Sequence, residues 1–269
     1  MRARVKEPRP LGEAAADLIL DAADLSEVRA AAHAAVADIP VDVCVQPLEG
    51  RRKRLFVADM DSTIIGCECI DELADFAGKK AEIAAITERA MRGELAFEGA
   101  LRERVAMLKG LPVSALQAAY DERVRLNPGA RTLVRTMAAN GTRCVLVSGG
   151  FTFFTSRVAE AAGFHAQRAN TLGEGEGVLT GLVGEPILGR EAKLAALTEE
   201  AAGLGLDMTR TMAVGDGAND LAMIKAAGLG VAYRAKPIVA AEADAKVDDA
   251  DLTALLYFQG YRAEEFVTD

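Results

Sequence analysis

The 269-residue chain has no tryptophan, two histidines and four cysteines, and aromatic residues make up only 5% of it. Each shortage removes a class of function. Without an aromatic stacking surface, and with a formal net charge of -9, the chain is a poor partner for single-stranded nucleic acid or any other polyanion. His33 and His165 alone give a Ser-His-Asp triad or a multi-histidine metal site little to work with. No apolar run approaches the roughly 18 residues that a bilayer span needs, and the N-terminus lacks the compact apolar segment of a signal peptide. No membrane partner is expected, and the expected location is cytoplasmic. Cys44, Cys67, Cys69 and Cys144 are too few for a disulfide framework in a chain of this length and fit a reducing compartment. The Cys67-Glu68-Cys69 pair has neither the spacing nor the second pair that a zinc knuckle requires. Any chemistry must therefore rest on carboxylates, lysine, arginine and hydroxyls.

Hydrophobic residues, by contrast, supply 51% of the chain, enough for the core of one large α/β domain, or of a large domain and a small one. Residues 1–50 read as a short N-terminal segment with a helix near 26–37 and a strand over 41–45, followed by the basic run "EGRRKR" at 49–54, read as a solvated linker. From Leu55 short apolar runs alternate with helical segments, the pattern of a parallel sheet with crossover helices. Strands are expected over 55–58, 143–147, 211–214 and 229–232. The first three run into "DMDST", "SGG" and "GDGAND", and in open α/β sheets such strand ends converge on one crevice. About 75 residues separate the first two strands, more than one crossover helix needs. They read as helices over 69–76, 79–91, 97–108 and 114–125, a small helical cap in which Leu101, Val105 and Leu108 are core. "GEGEG" at 173–177 reads as a hairpin turn.

Asp59 and Asp61 stand two apart, so an extended segment would point both carboxylates to one side, where only a cation or a shared proton makes the pair tolerable. "VGDGAND" brings Asp216 and Asp220. Mg²⁺ takes hard oxygen ligands and leaves room for a phosphate oxygen, so two or three of these carboxylates suffice. Such a site suits phosphoryl transfer to an aspartate, with a second aspartate as proton donor and then acceptor. Ser148, the amides of Gly149 and Gly150, and Lys193 offer donors to the phosphoryl oxygens. Taken singly, an Asp-x-Asp also occurs as a solvated turn, Ser-Gly-Gly as a plain loop, and a lone helical lysine as a surface residue.

"DMDST" (59–63), "VSGGF" (147–151), Lys193 and "GDGANDLAM" (215–223) together resemble, in order, the four motifs of the haloacid dehalogenase superfamily. The resemblance runs from about residue 55 to the C-terminus and is strongest to the phosphoserine phosphatase family. It implies an α/β fold: a Rossmann-like parallel sheet core with helices on both faces (51–66 and 128–269) and an inserted helical cap (67–127). Residues 1–50 stand where longer members carry regulatory ligand-binding modules, for which about 50 residues is short. The resemblance implies Asp59 as nucleophile, Asp61 as general acid and base, and Mg²⁺ held by the Asp59 carboxylate, the Asp61 backbone carbonyl and Asp216. Asn219 and Asp220 support the site, and Ser148, Gly149 and Lys193 hold the phosphoryl group. By position Glu68 matches the family's amine-binding glutamate, Arg104 its carboxylate-binding arginine, and Met91 and Phe97 its closing apolar residues. Spacing alone makes Glu68 and Arg104 ordinary helix-surface charges.

The implied reaction is hydrolysis of the small molecule O-phospho-L-serine through a phosphoaspartyl intermediate, the last step of serine biosynthesis. Two other readings stay open: a phosphatase of the same superfamily acting on another small phosphate such as phosphohomoserine, and a non-catalytic phospho-amino-acid sensor. An intact nucleophile and acid argue against a sensor, which gains nothing from destroying its ligand. Nothing in the sequence indicates the oligomeric state.

Overall fold

The computed structural model describes residues 4–5, 7–21, 24–91 and 94–268. Its centre is a six-stranded sheet in the order Ala245–Val247, Gly230–Tyr233, Thr211–Gly215, Leu55–Ala58, Arg143–Phe151 and Ala166–Asn170, parallel throughout. "LFVA", "TMAVG" and "GVAY" are buried at every position, as expected for strands covered on both faces. Alternate residues feed two cores. Phe56, Ala58, Cys144 and Leu146 pack with Leu133, Val134 and Met137 of the helix Ala130–Ala139, while Leu55, Val57, Val145 and Val147 pack with Ala196 and Leu197 of the helix Arg190–Gly203.

Register decides where the polar strand ends fall. Ala58 lies opposite Leu146 on one side and Val214 on the other. Asp59, Ser148 and Asp216 therefore stand one or two residues beyond paired positions, on the same carboxyl edge. From Leu55–Ala58 the chain builds the sheet outward on one side and then returns to build the other, so this edge is a switch point where a crevice opens.

The expected strand over 143–147 continues to Phe151, with its pairing to Ala166–Asn170 interrupted between Val147 and Phe151. "SGG" is thus an irregularity within a strand end, a device that often re-aims groups at active sites. The insertion forms the helices Cys69–Phe76, Lys80–Met91, Phe97–Ala106 and Ser114–Arg123, and Leu101, Val105 and Leu108 are buried as expected. The hairpin Leu172–Gly175 with Val178–Val183 docks on the insertion: Gly110 N–H donates to Leu179 O at 2.8 Å, and Leu179 N–H to Leu111 O at 2.8 Å.

Two expectations for the N-terminal segment are corrected. The strand expected over 41–45 is reduced to one bridge, Cys44 with Ala245. "EGRRKR" is not a solvated linker. Arg51 grips Asp17 with two bonds of 2.7 and 2.8 Å and donates to Tyr257 O and Phe258 O. Arg52 pairs with Glu265 and covers the Tyr261 ring, and Lys53 is buried with Nζ on Thr209 O. These partners are remote in sequence, so the run looks solvated until the chain folds. The helix Leu25–Ala35 forms as expected, capped by the Asp24 carboxylate, which accepts from Ser26 N–H at 2.8 Å.

Candidate active site

Asp59 follows the innermost strand directly and extends its ladder, donating its N–H to Val214 O at 3.0 Å. Its Oδ1 accepts from Met60 N–H at 2.8 Å and lies 2.6 Å from Lys193 Nζ. Lys193 is buried, only 2% exposed, and its Nζ also donates to Asp220 Oδ1 at 2.6 Å. Burial alone would lower the Lys193 pKa, but Asp220 and Asp59 outweigh it and raise it, so the ammonium stays charged. For Asp59, burial and the Asp220 charge push upward against the pull of Lys193.

After Asp59 the chain does not stay extended. It turns through Met60–Ile64, with Ser62 at φ 55, a conformation that L side chains adopt at a cost. The sequence alone had placed the two carboxylates side by side, to be met by a cation or a shared proton; in the fold the Asp61 charge still acts on Asp59, but Asp61 stands outside the acidic cluster. The Asp61 carboxylate accepts from Cys69 N–H at 2.9 Å and from Ser148 Oγ at 3.0 Å, so its charge is met by donors of its own. Asp59, Asp216 and Asp220 instead form the acidic cluster, with one oxygen of each within 4.8 Å of the others. Asp220 is occupied by Lys193 and Gly217 N–H, while Asp216 accepts from Thr63 Oγ1 at 3.3 Å. The donor set is hard carboxylate oxygen, which fits Mg²⁺ or a similar divalent ion.

Ser148 Oγ also accepts from Gly150 N–H at 2.8 Å. A methyl at Gly150 would come to 3.0 Å from both Asp61 Oδ2 and Ser148 Oγ, and one at Gly149 to 3.1 Å from Phe97 Cζ. Glycine therefore lets the loop close on Asp61 from one side and accept the Phe97 ring from the other. Asn170, buried and unremarked in the sequence, holds this loop by donating to Gly149 O at 2.9 Å and to Leu188 O at 3.2 Å.

These groups open on a cavity of about 260 Å³. Of the site residues singled out in the sequence, Asp59, Asp61, Glu68, Phe97, Arg104, Ser148, Gly149, Gly150, Asp216 and Asn219 line it. Lys193 bridges Asp59 and Asp220, and neither Lys193 nor Asp220 is on the wall. The Met91 side chain lies outside the described residues. Glu68 and Arg104 come from the insertion; Ser62 Oγ donates to Glu68 Oε1 at 2.6 Å, and Arg104 is half-buried with Nε on Ala100 O. Glu68 is exposed to solvent, yet the protein packed around its carboxyl, with the Asp61 charge, pushes it up to about 7. Burial lowers the Arg104 pKa, and Asp71 and Glu68 oppose that shift. Sequence reasoning missed Asp71, Thr87 and Lys236, which also line the cavity. Lys236 had a signal, because it follows the end of a fourth sheet strand, Gly230–Tyr233.

A parallel α/β sheet whose central strand ends in a lysine-paired aspartate, with an acidic cluster and a hydroxyl loop on the adjacent strand ends, defines a class. The chain belongs to the haloacid dehalogenase-like hydrolase family, whose sequence profile matches residues 56–225. Its relatives narrow the class further. The phosphoserine phosphatase of Polaromonas sp. is 46% identical over 221 residues, spanning 80% of this chain and 94% of the relative. A solved phospho-aspartyl intermediate analogue of a phosphoserine phosphatase superposes with a TM-score of 0.71 at 39% identity, covering 77% of this chain and 99% of that one. A family hydrolase from Salmonella enterica serovar Typhi superposes with a TM-score of 0.85 at 30% identity over 95% of this chain and 89% of its own.

Proposed function

We propose that the chain hydrolyses O-phospho-L-serine to L-serine and phosphate. The observation that carries this reading is the meeting of Asp59, Asp61 and Ser148 with Glu68 and Arg104 on one small cavity. A phosphoryl acceptor, a proton donor and a pair of opposite charges for an amino acid's two ends thus share one wall. The cavity suits a small ester; its volume of about 260 Å³ is at the lower end of ligand sites.

In the first step a carboxylate oxygen of Asp59 attacks phosphorus, the phosphorus–seryl oxygen bond breaks, and Asp61 gives its proton to the departing oxygen. In the second, water attacks the same phosphorus while Asp61 takes its proton, and the bond to Asp59 breaks to release phosphate. Lys193 orients the Asp59 carboxylate and carries positive charge toward the transferring group. Ser148 and the Gly149 amide donate to phosphoryl oxygens, and Asn219 and Asp220 support the loop beside them. Glu68 takes the substrate ammonium, Arg104 its carboxylate, and Phe97 with Met91 closes over the stem. Mg²⁺, held by the Asp59 and Asp216 carboxylates and the Asp61 backbone carbonyl, would neutralise charge on the phosphoryl oxygens when bound.

We assign the catalytic core to 51–66 and 128–269, the cap to 67–127, and leave 1–50 without a catalytic part. Four free thiols fit a cytoplasmic setting. The test is phosphate release from a panel of small phosphate esters with and without Mg²⁺. Preference for O-phospho-L-serine, lost on chelation and restored by Mg²⁺, is expected. Equal use of phosphohomoserine, or of an ester lacking the amino group, would overturn the substrate assignment.

A further inference from the structure

The charge on the cavity wall is unbalanced. Five carboxylates line it, those of Asp59, Asp61, Glu68, Asp71 and Asp216, against two cationic side chains, Arg104 and Lys236. A phosphate monoester approaches as a near dianion at neutral pH, since its second pKa is about 6. It must pass this wall to reach Asp59. Lys193 cannot meet it outside, because it is buried with Nζ on two carboxylates. Arg104 stands in the field of Asp71 and Glu68, on the insertion side.

Lys236 is placed differently. Its backbone is fixed, donating N–H to Asp216 O at 3.1 Å and accepting at its carbonyl from Val239 N–H at 2.9 Å. Its side chain is exposed on the cavity wall and forms no ion pair among the described residues. The ammonium is close enough for its charge to draw the Asp216 carboxyl downward, against burial and Asp220, which push it up. A flexible four-carbon stem with a point charge, anchored at its root beside the acidic cluster, can reach out for an anion and follow it inward.

We infer that Lys236 is the outer phosphate-binding residue, whose ammonium contacts the phosphoryl dianion as it reaches the cavity and inorganic phosphate as it leaves. This rests on the phosphatase reading, yet it concerns the phosphoryl group and not the serine portion. Its effect falls on association and binding and leaves the chemical step alone.

The experiment measures inorganic phosphate binding by titration calorimetry in Mg²⁺, for the full chain and for Lys236→Gln and Lys236→Glu, together with kcat and KM on phosphoserine and on an aryl phosphate. Phosphate binding is expected to weaken about fivefold in the Gln variant and further in the Glu variant, as for an exposed charge contact. The kcat/KM should fall by the same factor on both esters with kcat nearly unchanged, and its ionic-strength dependence should flatten. Unchanged phosphate binding in both variants would overturn the inference. So would a loss confined to phosphoserine, which would put the ammonium on the serine carboxylate, or a fall in kcat with binding intact, which would restrict Lys236 to shaping Asp216. The two failures are distinguishable: a wild-type chain that hydrolyses no ester would sink the phosphatase reading, whereas phosphoserine hydrolysis with phosphate binding unchanged in both variants would sink this inference alone.

Discussion

Lys193 Nζ lies 2.6 Å from Asp59 Oδ1, with both side chains buried. The same nitrogen meets Asp220 at 2.6 Å, so one ammonium compensates two enclosed carboxylates. Its pKa is raised above the usual 10.5. The lysine's own part in this pairing is therefore complete below about pH 10.5 and is lost as pH rises through the higher folded value. Lys193→Met leaves both carboxylates unpaired and should destabilise the fold by about 3–5 kcal/mol at neutral pH. Part of that loss should return on acidification, as Asp59, whose carboxyl burial pushes up, protonates. Urea unfolding of the variant at several pH values measures both effects.

Glu68 gives a pH signature of its own. With its carboxyl raised to about 7, it is increasingly neutral below that pH and then offers the substrate ammonium no charge. KM for phosphoserine should rise as pH falls from 8 to 6, relative to KM for an aryl phosphate, which shares the ionisation of the phosphate but not the amine. Glu68→Gln should raise KM throughout and remove the relative pH dependence. A ratio that stays flat in the wild type would separate Glu68 from the amine.

Arg104 should discriminate between substrates. A charge-assisted contact contributes about 1.5–3 kcal/mol, so Arg104→Ala should lower kcat/KM for phosphoserine roughly 10- to 100-fold and spare the aryl phosphate. Equal losses on both would mean that Arg104 shapes the cap without reading the carboxylate.

Arg51 joins the N-terminal segment to the C-terminal end through Asp17 and the carbonyls of Tyr257 and Phe258. Arg51→Ala should cost about 2 kcal/mol in urea unfolding, because the partly buried Asp17 carboxylate loses its partner, while the two carbonyls keep donors in Gly260 N–H and Gln46 Nε2. The kcat of the folded fraction should be unchanged.

Much of this architecture is legible in the chain because its signals are local. The runs ending at Ala58, Val147 and Val214 are short, apolar and followed by polar clusters, so strand, edge and crevice can all be read from neighbouring residues. The edge strands Ala166–Asn170 and Ala245–Val247 escape because "AQRAN" is half-polar and "AKV" too short to show a period. Tertiary partners are what the sequence hides. Lys193 reads as a surface helical residue until Asp59 and Asp220 close on it, and "EGRRKR" reads as linker until Asp17 and Glu265 arrive. The direction of Asp61 depended on the turn that begins at Met60, which breaks the alternation that an extended segment would have kept.

The central claim is that the phosphoryl group passes through Asp59. Acid quenching of the Mg²⁺-loaded protein during turnover of phosphoserine carrying a radiolabelled phosphate, followed by peptide mapping, tests it directly. The account predicts an alkali-labile label on the peptide that contains Asp59, absent from Asp59→Asn, which should also lose at least about a thousandfold in kcat. A label on another residue, or undiminished hydrolysis by Asp59→Asn, would contradict it.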